Sequence, residues 1–410
     1  MSVPTSSRSA PPGDIRDFKA LYRKLERTLN SLETRETTSD LLSGILHTLV
    51  LDFQEDLGFK AGRLYSKEPD GLVLRSVAGA AETPPDAYRI PLDYPPVEKI
   101  LEEGLVIMKR GDPGFDESIE GPIGVSKFAA IAVGDSNHVI SFTIKGELRE
   151  EQILYSLSAV RHVINARLRQ EKMAGIMNEA RLIQESLLPK GPPEFRGYDI
   201  HGQSRPTEIV GGDLFDYLHM SPKLLGVAVA DASGHGLPAA LLARDVITGL
   251  RMGMAEDFKI IRTVEKLNRV IHRSALSSKF ASMFYGELEP NGNFFYINAG
   301  HTPSLLFRGG AFEELTLGGL VLGPNPSAQY ERGYVKLKTG DMIVMYTDGV
   351  PECESPAGMQ FGMHRLRDLV RQHADSSSRE IVDSIFAAAD AYMDSGPQLD
   401  DMTVVVIRKT

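Results

Sequence analysis

Leu224-Leu225-Gly226-Val227-Ala228-Val229-Ala230-Asp231-Ala232-Ser233-Gly234-His235-Gly236 is the stretch that decides how the second half of this chain folds. Leu224 to Ala230 is continuously apolar, as a strand buried on both faces requires. It delivers Asp231 directly to the strand end. Gly234-His235-Gly236 then turns the chain tightly, and Pro238 opens a helix at a position where proline is tolerated. One carboxylate at such a corner is as readily a turn former or helix cap as a functional group. The device recurs, however. Met342 to Thr347 presents Asp348 before Gly349, and Asp400-Asp401 stands immediately before an apolar run from Met402. Gly211-Gly212-Asp213 supplies a further acidic corner. Carboxylates so far apart in sequence, each at the end of a buried strand, argue for convergence on one site. An all-oxygen cluster favours hard divalent cations such as Mg²⁺ or Mn²⁺ over zinc or copper. Two such ions side by side activate water for attack on a phosphoryl centre.

Around this stretch the pattern is strongly β. Strands are predicted at Tyr198 to Ser204, Leu214 to His219, Leu224 to Ala230, Ser282 to Glu289, Asn293 to Ala299, Ser304 to Arg308, Met342 to Thr347 and Met402 to Ile407. Asn291-Gly292 between two runs signals a hairpin. Helices are predicted at Pro238 to Met252, Ile261 to Ser274, Met363 to Gln372 and Ser378 to Met393. Strands flanked by two helix pairs imply two sheets packed together and covered by helices.

The first half reads differently. Residues 1–13, rich in Ser and Pro and without an apolar signal core, read as a disordered leader. Residues 14–37 hold a charged helix whose Phe18, Tyr22, Leu25, Leu29 and Leu32 are spaced four, three, four, three, a heptad seam. Residues 38–148 begin with N-cap chemistry at Thr38-Ser39-Asp40 and a helix toward Leu57 that ends at Gly58. Short strands follow at Lys60 to Tyr65, Leu72 to Val77, Leu105 to Met108, Phe128 to Val133 and Val139 to Ile144, with a helix near Pro96 to Glu103. This is an α+β domain with a mainly antiparallel sheet, and its order and length resemble a GAF-type sensory domain. Residues 149–189 form one long helix, broken by Pro189-Lys190-Gly191-Pro192-Pro193. Its Ile153, Leu157, Val160 and Ile164, then Met173, Ile176, Ala180, Ile183 and Leu187, follow a coiled-coil spacing that slips between the two sets. The helix either packs on its own domain or forms a parallel dimer stalk.

At 410 residues the chain calls for two domains with helical connections. No run approaches the length of a membrane span. A net charge of −10 disfavours nonspecific nucleic-acid binding. The single cysteine, Cys353, excludes an intramolecular disulfide and a thiolate metal cage and fits a cytoplasmic setting.

Val210-Gly211-Gly212-Asp213-Leu214-Phe215-Asp216, Asp231-Ala232-Ser233-Gly234-His235-Gly236, Asn298-Ala299-Gly300-His301, Thr347-Asp348-Gly349 and Asp400-Asp401-Met402-Thr403 resemble, in order and spacing, the motif set of PPM-type metal-dependent protein serine/threonine phosphatases. The nearest branch is the bacterial SpoIIE/RsbU-like one, and the resemblance spans residues 190–410. It implies an α/β/β/α sandwich with two Mn²⁺ or Mg²⁺ ions at one edge. By this resemblance Asp231 bridges both ions and Ala232 offers its backbone carbonyl. Asp348 and Asp400 complete the first ion's ligands, and Asp213 holds the second, partly through water. Asp401, Gly212, Gly349 and His235 take orienting roles around them, and Asp216 either helps order the first loop or serves as a cap or surface residue. The implied substrate is a phosphoserine or phosphothreonine on a signalling partner of the anti-anti-sigma type. The resemblance also implies regulation from the N-terminal domain through the helix Gln170 to Leu188, and a homodimer with a small-molecule or protein signal is expected.

Other readings stand beside this one. A catalytically silent phosphoprotein-binding scaffold has no need of every acidic ligand. A metallohydrolase of small phosphate esters is the third, although no Walker-type phosphate loop is present. His235 and His301 are candidate general acids, with structural hydrogen bonds as the simpler roles. Arg205 is a candidate phosphate contact, and Cys353 reads as incidental.

Overall fold

The computed structural model describes residues 15–30, 37–52, 54, 58–79, 88–144, 150–255, 259–274 and 279–410. The leader read at residues 1–13, Leu32 and Leu57 lie outside these. The chain divides into two compact units, Met1–Gly175 and Ile176–Thr410. Among the described residues no helix is long and apolar enough to cross a membrane.

The N-terminal unit runs α1 (Ile15–Asn30), α2 (Thr38–Asp52), β1 (Phe59–Glu68), β2 (Gly71–Gly79), β3 (Arg89–Ile90), α3 (Pro95–Glu103), β4 (Leu105–Lys109), α4 (Glu117–Glu120), β5 (Lys127–Val133) and β6 (His138–Ile144). The strands form one antiparallel sheet in the order β3-β2-β1-β6-β5-β4. Period-two alternation sends Leu64, Ile140 and Phe142 to one face, where they meet Leu25 and Leu29 of α1, Ile45 and Leu49 of α2 and the next helix. Tyr65, Val139 and Phe128 go to the other, under Val97 and Ile100 of α3.

α5 (Glu150–Leu187) follows. Ile153, Leu157, Val160 and Ile164 are buried in the N-terminal core. Met173, Ile176 and Ile183 are exposed. The two halves of one heptad-like spacing therefore have different surroundings, and the first half packs on its own domain.

The C-terminal unit adds β7 (Tyr198–Arg205), β8 (Asp213–Ser221), β9 (Leu224–Ala232), α6 (Gly236–Ala255), α7 (Ile260–Arg273), β10 (Ala281–Leu288), β11 (Asn293–Ala299), β12 (Ser304–Arg308), β13 (Ala311–Leu315), β14 (Gly318–Gly319), β15 (Gly333–Lys336), β16 (Met342–Tyr346), α8 (Gly349–Glu352), α9 (Gly362–Gln372), α10 (Ser378–Met393) and β17 (Met402–Lys409). One sheet is ordered β14-β11-β10-β9-β8, with β15 also on β11. The second is β13-β12-β16-β17-β7. Alternation along β9 explains the layering. Val227 and Val229 face the second sheet, where they join Ile343, Met345, Val405 and Ile407. Ala228, Ala230 and Ala232 face Leu242, Val246 and Leu267 of α6 and α7. The outer face of the second sheet is covered by Leu366, Ile381 and Ile385 of α9 and α10. The result is the four-layer α/β/β/α sandwich. The elements not anticipated (β3, α4, β13, β14, β15 and α8) are mostly short, and such pieces carry too few residues for a periodic signal.

Candidate metal centre

The register between the two sheets explains how remote aspartates meet. Residues on one face of a strand recur every second position. Extending the inter-sheet face of β9 from Val227 and Val229 leads to Asp231. On β8 the same face continues from Phe215 to Asp213, which pairs directly with Asp231. On the other sheet, Ile343 and Met345 lead to Thr347, and Ile407 and Val405 lead to Thr403 and then Asp401. At one edge of the sandwich the apolar layer thus gives way to Asp213, Asp231, Thr347, Thr403 and Asp401. Asp348 and Asp400 follow one residue outward from Thr347 and Asp401.

Each carboxylate has a distinct setting. Asp213 is buried and its Oδ2 accepts from Thr347 Oγ1 at 2.6 Å. Burial and the nearby Asp231 hold its carboxyl well above the usual range, against the hydroxyls of Thr347 and Thr403. Asp231 is pushed up to about 7 by burial and then by Asp348, Asp400 and Asp401. Asp400 is raised by partial desolvation and by Asp348 and Asp401, with its bond to the Asp401 N–H and the charge of His235 opposing. Asp401 is buried and works on backbone: Oδ1 accepts from Thr207 N at 2.6 Å, and Oδ2 from Gly212 N at 2.6 Å and Asp213 N at 3.4 Å. It therefore shapes the Gly211–Asp213 strap.

Two glycines permit the close approach. A Cβ on Gly212 would lie 2.7 Å from the Ala232 carbonyl oxygen, and one on Gly349 would collide with the Asp401 carbonyl. His235 is largely exposed, with Nδ1 2.6 Å from Glu208 Oε1. His301 is buried. Its Nδ1 meets Ser282 Oγ at 2.7 Å, its backbone N–H donates to Asn298 Oδ1, and burial lowers its pKa to about 4. It is a neutral loop-former. Arg205 turns away from the carboxylates, pairing with Asp390 at 2.8 Å and lying over the Phe386 ring. Cys353 is buried in the outer core.

Several participants escaped the sequence reading. Thr347 ties the two sheets at this edge through its bond to Asp213, and the Thr403 N–H, from the neighbouring strand of its own sheet, donates to Thr347 Oγ1 at 2.9 Å. Gln398 Nε2 donates to the Asp400 carbonyl and to Arg205 O, fixing the Asp400 corner. Glu352 feels Asp348 and Asp400, which together with desolvation raise its pKa. Its signal was its place four residues after Asp348, on the same helix face.

Among the described residues no three His, Cys, Asp or Glu side chains close into a ready-made cage. The carboxylates are near enough to raise one another's pKa, and the one side-chain charge that opposes them at Asp231 and Asp400 among the described residues is that of the exposed His235. An all-oxygen, mutually repelling set of this kind fits a hard divalent cation, which supplies the missing positive charge.

With this geometry in place, the family description "Stage II sporulation protein E (SpoIIE)" matches residues 221–410. The matched residues make up most of the C-terminal unit, which is similar in sequence to SpoIIE-type PP2C phosphatase domains. Phosphoserine phosphatase RsbU of Bacillus subtilis is 29% identical to the chain over 279 residues, 67% of this chain and 80% of that protein. Protein IcfG of Synechocystis is 26% identical over 314 residues, 68% of this chain and 49% of its own length. The SiaA-PP2C domain of Pseudomonas aeruginosa shares the fold, with a TM-score of 0.52 at 21% identity over 58% of this chain and 98% of that domain. SpoIIE-type PP2C phosphatases depend on Mg²⁺ or Mn²⁺. That dependence agrees with the donor chemistry of the acidic edge.

Proposed function

We propose that this SpoIIE-type phosphatase removes phosphate from a phosphoserine or phosphothreonine on a protein partner of the anti-anti-sigma type. The reading rests on one observation: aspartates from both sheets reach one edge of the sandwich, where their charges act on each other. Asp231, Asp348 and Asp400 would hold a first Mn²⁺ or Mg²⁺ ion. Asp213 and Asp231, with the Ala232 carbonyl, would hold a second. Bound there, such ions supply Lewis acidity toward water and phosphoryl oxygens. The chain's own part is positioning. Asp401 pins the Gly211–Asp213 strap, Thr347 orients Asp213, and Gln398 fixes the Asp400 corner. No side chain forms a covalent phosphoryl link in this scheme, and buried Cys353 takes no part.

The N-terminal unit, read as a GAF-like sensor of residues 38–148, would regulate the domain through α5. The exposed Met173, Ile176 and Ile183 on that helix support a homodimer contact. A cytoplasmic setting suits a partner-switching role. The test is hydrolysis by the full chain of a phosphoserine peptide against a nucleotide and small-ester panel, with and without Mn²⁺. Mn²⁺-dependent release from the peptide is expected. Preference for nucleotides, or binding without turnover, would redirect the reading to a small-ester hydrolase or a scaffold.

A further inference from the structure

The last turns of α5 grip the first acidic motif at both of its ends. The Gln184 side chain bonds one residue twice: Nε2 donates to the Gly211 carbonyl at 2.6 Å, and Oε1 accepts from the Gly211 N–H at 3.0 Å. Three residues on, the Leu187 carbonyl accepts from Arg251 Nη2 at 2.9 Å. Arg251 Nε in turn donates to Asp216 Oδ2 at 2.8 Å. Gly211 and Asp216 bracket Gly211-Gly212-Asp213-Leu214-Phe215-Asp216. Between them lies the strap whose Gly212 N–H donates to Asp401, and whose Asp213 faces Asp231.

At its very end the helix packs on the domain through Leu187 and Leu188, which lie against the clusters holding Leu214 and Phe215. Beside the Gln184 bonds helix and strap part into a cleft of about 350 Å³, lined by Asn178, Arg181, Gln184, Ile209, Gly211 and Asp213 among others. Directional hydrogen bonds across a cleft fix an orientation that apolar packing one turn away leaves loose. A charged acceptor such as Asp216 strengthens its bond further.

We propose that Gln184 and Arg251 are positioning residues for the cation site, and that the docking of the α5 end on the Gly211–Asp216 strap sets how tightly Asp213 and Asp231 take up Mn²⁺. This rests on the metal-dependent reading above and adds the residues through which the helix acts. Neither residue touches substrate. Both act through backbone and through Asp216.

The test titrates the full chain with Mn²⁺ alone by isothermal calorimetry, alongside the Mn²⁺ dependence of phosphoserine-peptide hydrolysis. Gln184→Ala is expected to weaken Mn²⁺ binding about tenfold, the effect of losing two hydrogen bonds of ordinary strength. The activation midpoint should shift equally, with turnover at saturating Mn²⁺ kept within about twofold. Gln184→Glu keeps the acceptor for the Gly211 N–H but cannot donate to its carbonyl, and should fall between. Glu179→Ala, on the exposed side of the same helix, should leave Mn²⁺ affinity unchanged. If circular dichroism shows Gln184→Ala unfolded, Gln184→Glu and Arg251→Lys carry the test, each retaining part of its tie. Unchanged Mn²⁺ affinity in the folded variants, or equal weakening in Glu179→Ala, overturns the proposal. Wild-type protein that binds no Mn²⁺ would instead remove the metal reading itself.

Discussion

Val229 and Asp231 lie two residues apart on one strand and face the same layer, yet one belongs to the driest part of the molecule and the other to its acidic edge. Inside, Val227, Val229, Ile343, Met345, Val405 and Ile407 fill the space between the sheets with no polar atom to satisfy. At the edge, the same register brings Asp213, Asp231, Thr347, Thr403 and Asp401 together. The interior gains stability by burial. The edge gives some of it up, since carboxylates held close in a partly desolvated place repel each other until a cation arrives. Stability and chemistry are thus separated along single strands, by one step of the pleat.

The sharpest way to break that separation is to cut the interior. Ile343→Ala should cost about 2–5 kcal/mol of unfolding free energy, through lost burial and the cavity left behind. Urea unfolding of the C-terminal unit measures it, and Mn²⁺ affinity of the folded fraction should stay the same. A large change in affinity would mean that interior and edge are not independent.

Asp231→Asn reverses the pattern. Losing the central carboxylate should lower kcat/KM at fixed Mn²⁺ by about 100-fold or more, since disturbing even the groups around metal ligands costs 10–100-fold. In chelator the same variant should melt no lower than wild type, and higher if repulsion dominates. Retained turnover would show that Asp231 lies outside the chemistry.

A smaller effect sharpens the contrast from the N-terminal unit, where a buried carboxylate feels the charge of Arg63. Glu120 is buried, with Tyr94 Oη 3.3 Å from Oε1. Burial pushes its pKa up to about 7, against the Tyr94 hydrogen bond and the charge of Arg63. The folded state therefore holds a proton that the unfolded chain releases near its ordinary value of 4.5. Stability from this group is full below that value and is lost as pH rises toward about 7. Calorimetric melting of the N-terminal unit should fall across this window, and Glu120→Gln should flatten the slope. An unchanged slope would place the titration elsewhere.

Most strands and helices of both units were legible from periodicity, because apolar alternation over six or more residues leaves few alternatives. The acidic corners were legible for the same reason, each standing where such a run stops. The short pieces β13 to β15 and α8 were not, and neither were Thr347, Thr403 and Gln398 as partners of aspartates. A threonine at a strand end looks the same whether it bonds a carboxylate or water. The spacing of α5 specifies a helix, but spacing does not name a partner. Ile153 to Ile164 found theirs in the N-terminal core, while Met173, Ile176 and Ile183 lie open.

From its amino acids alone this chain settles which segments pleat, which coil, and that its carboxylates come at strand ends, because local sterics and hydrophobic period act over a few residues. Which carboxylate faces which, and that Gln184 and Arg251 reach the Gly211–Asp216 strap from either side, is a matter of register between sheets and of a helix end laid on a loop. Those placements are set by packing between residues far apart in the chain, and no local pattern encodes them.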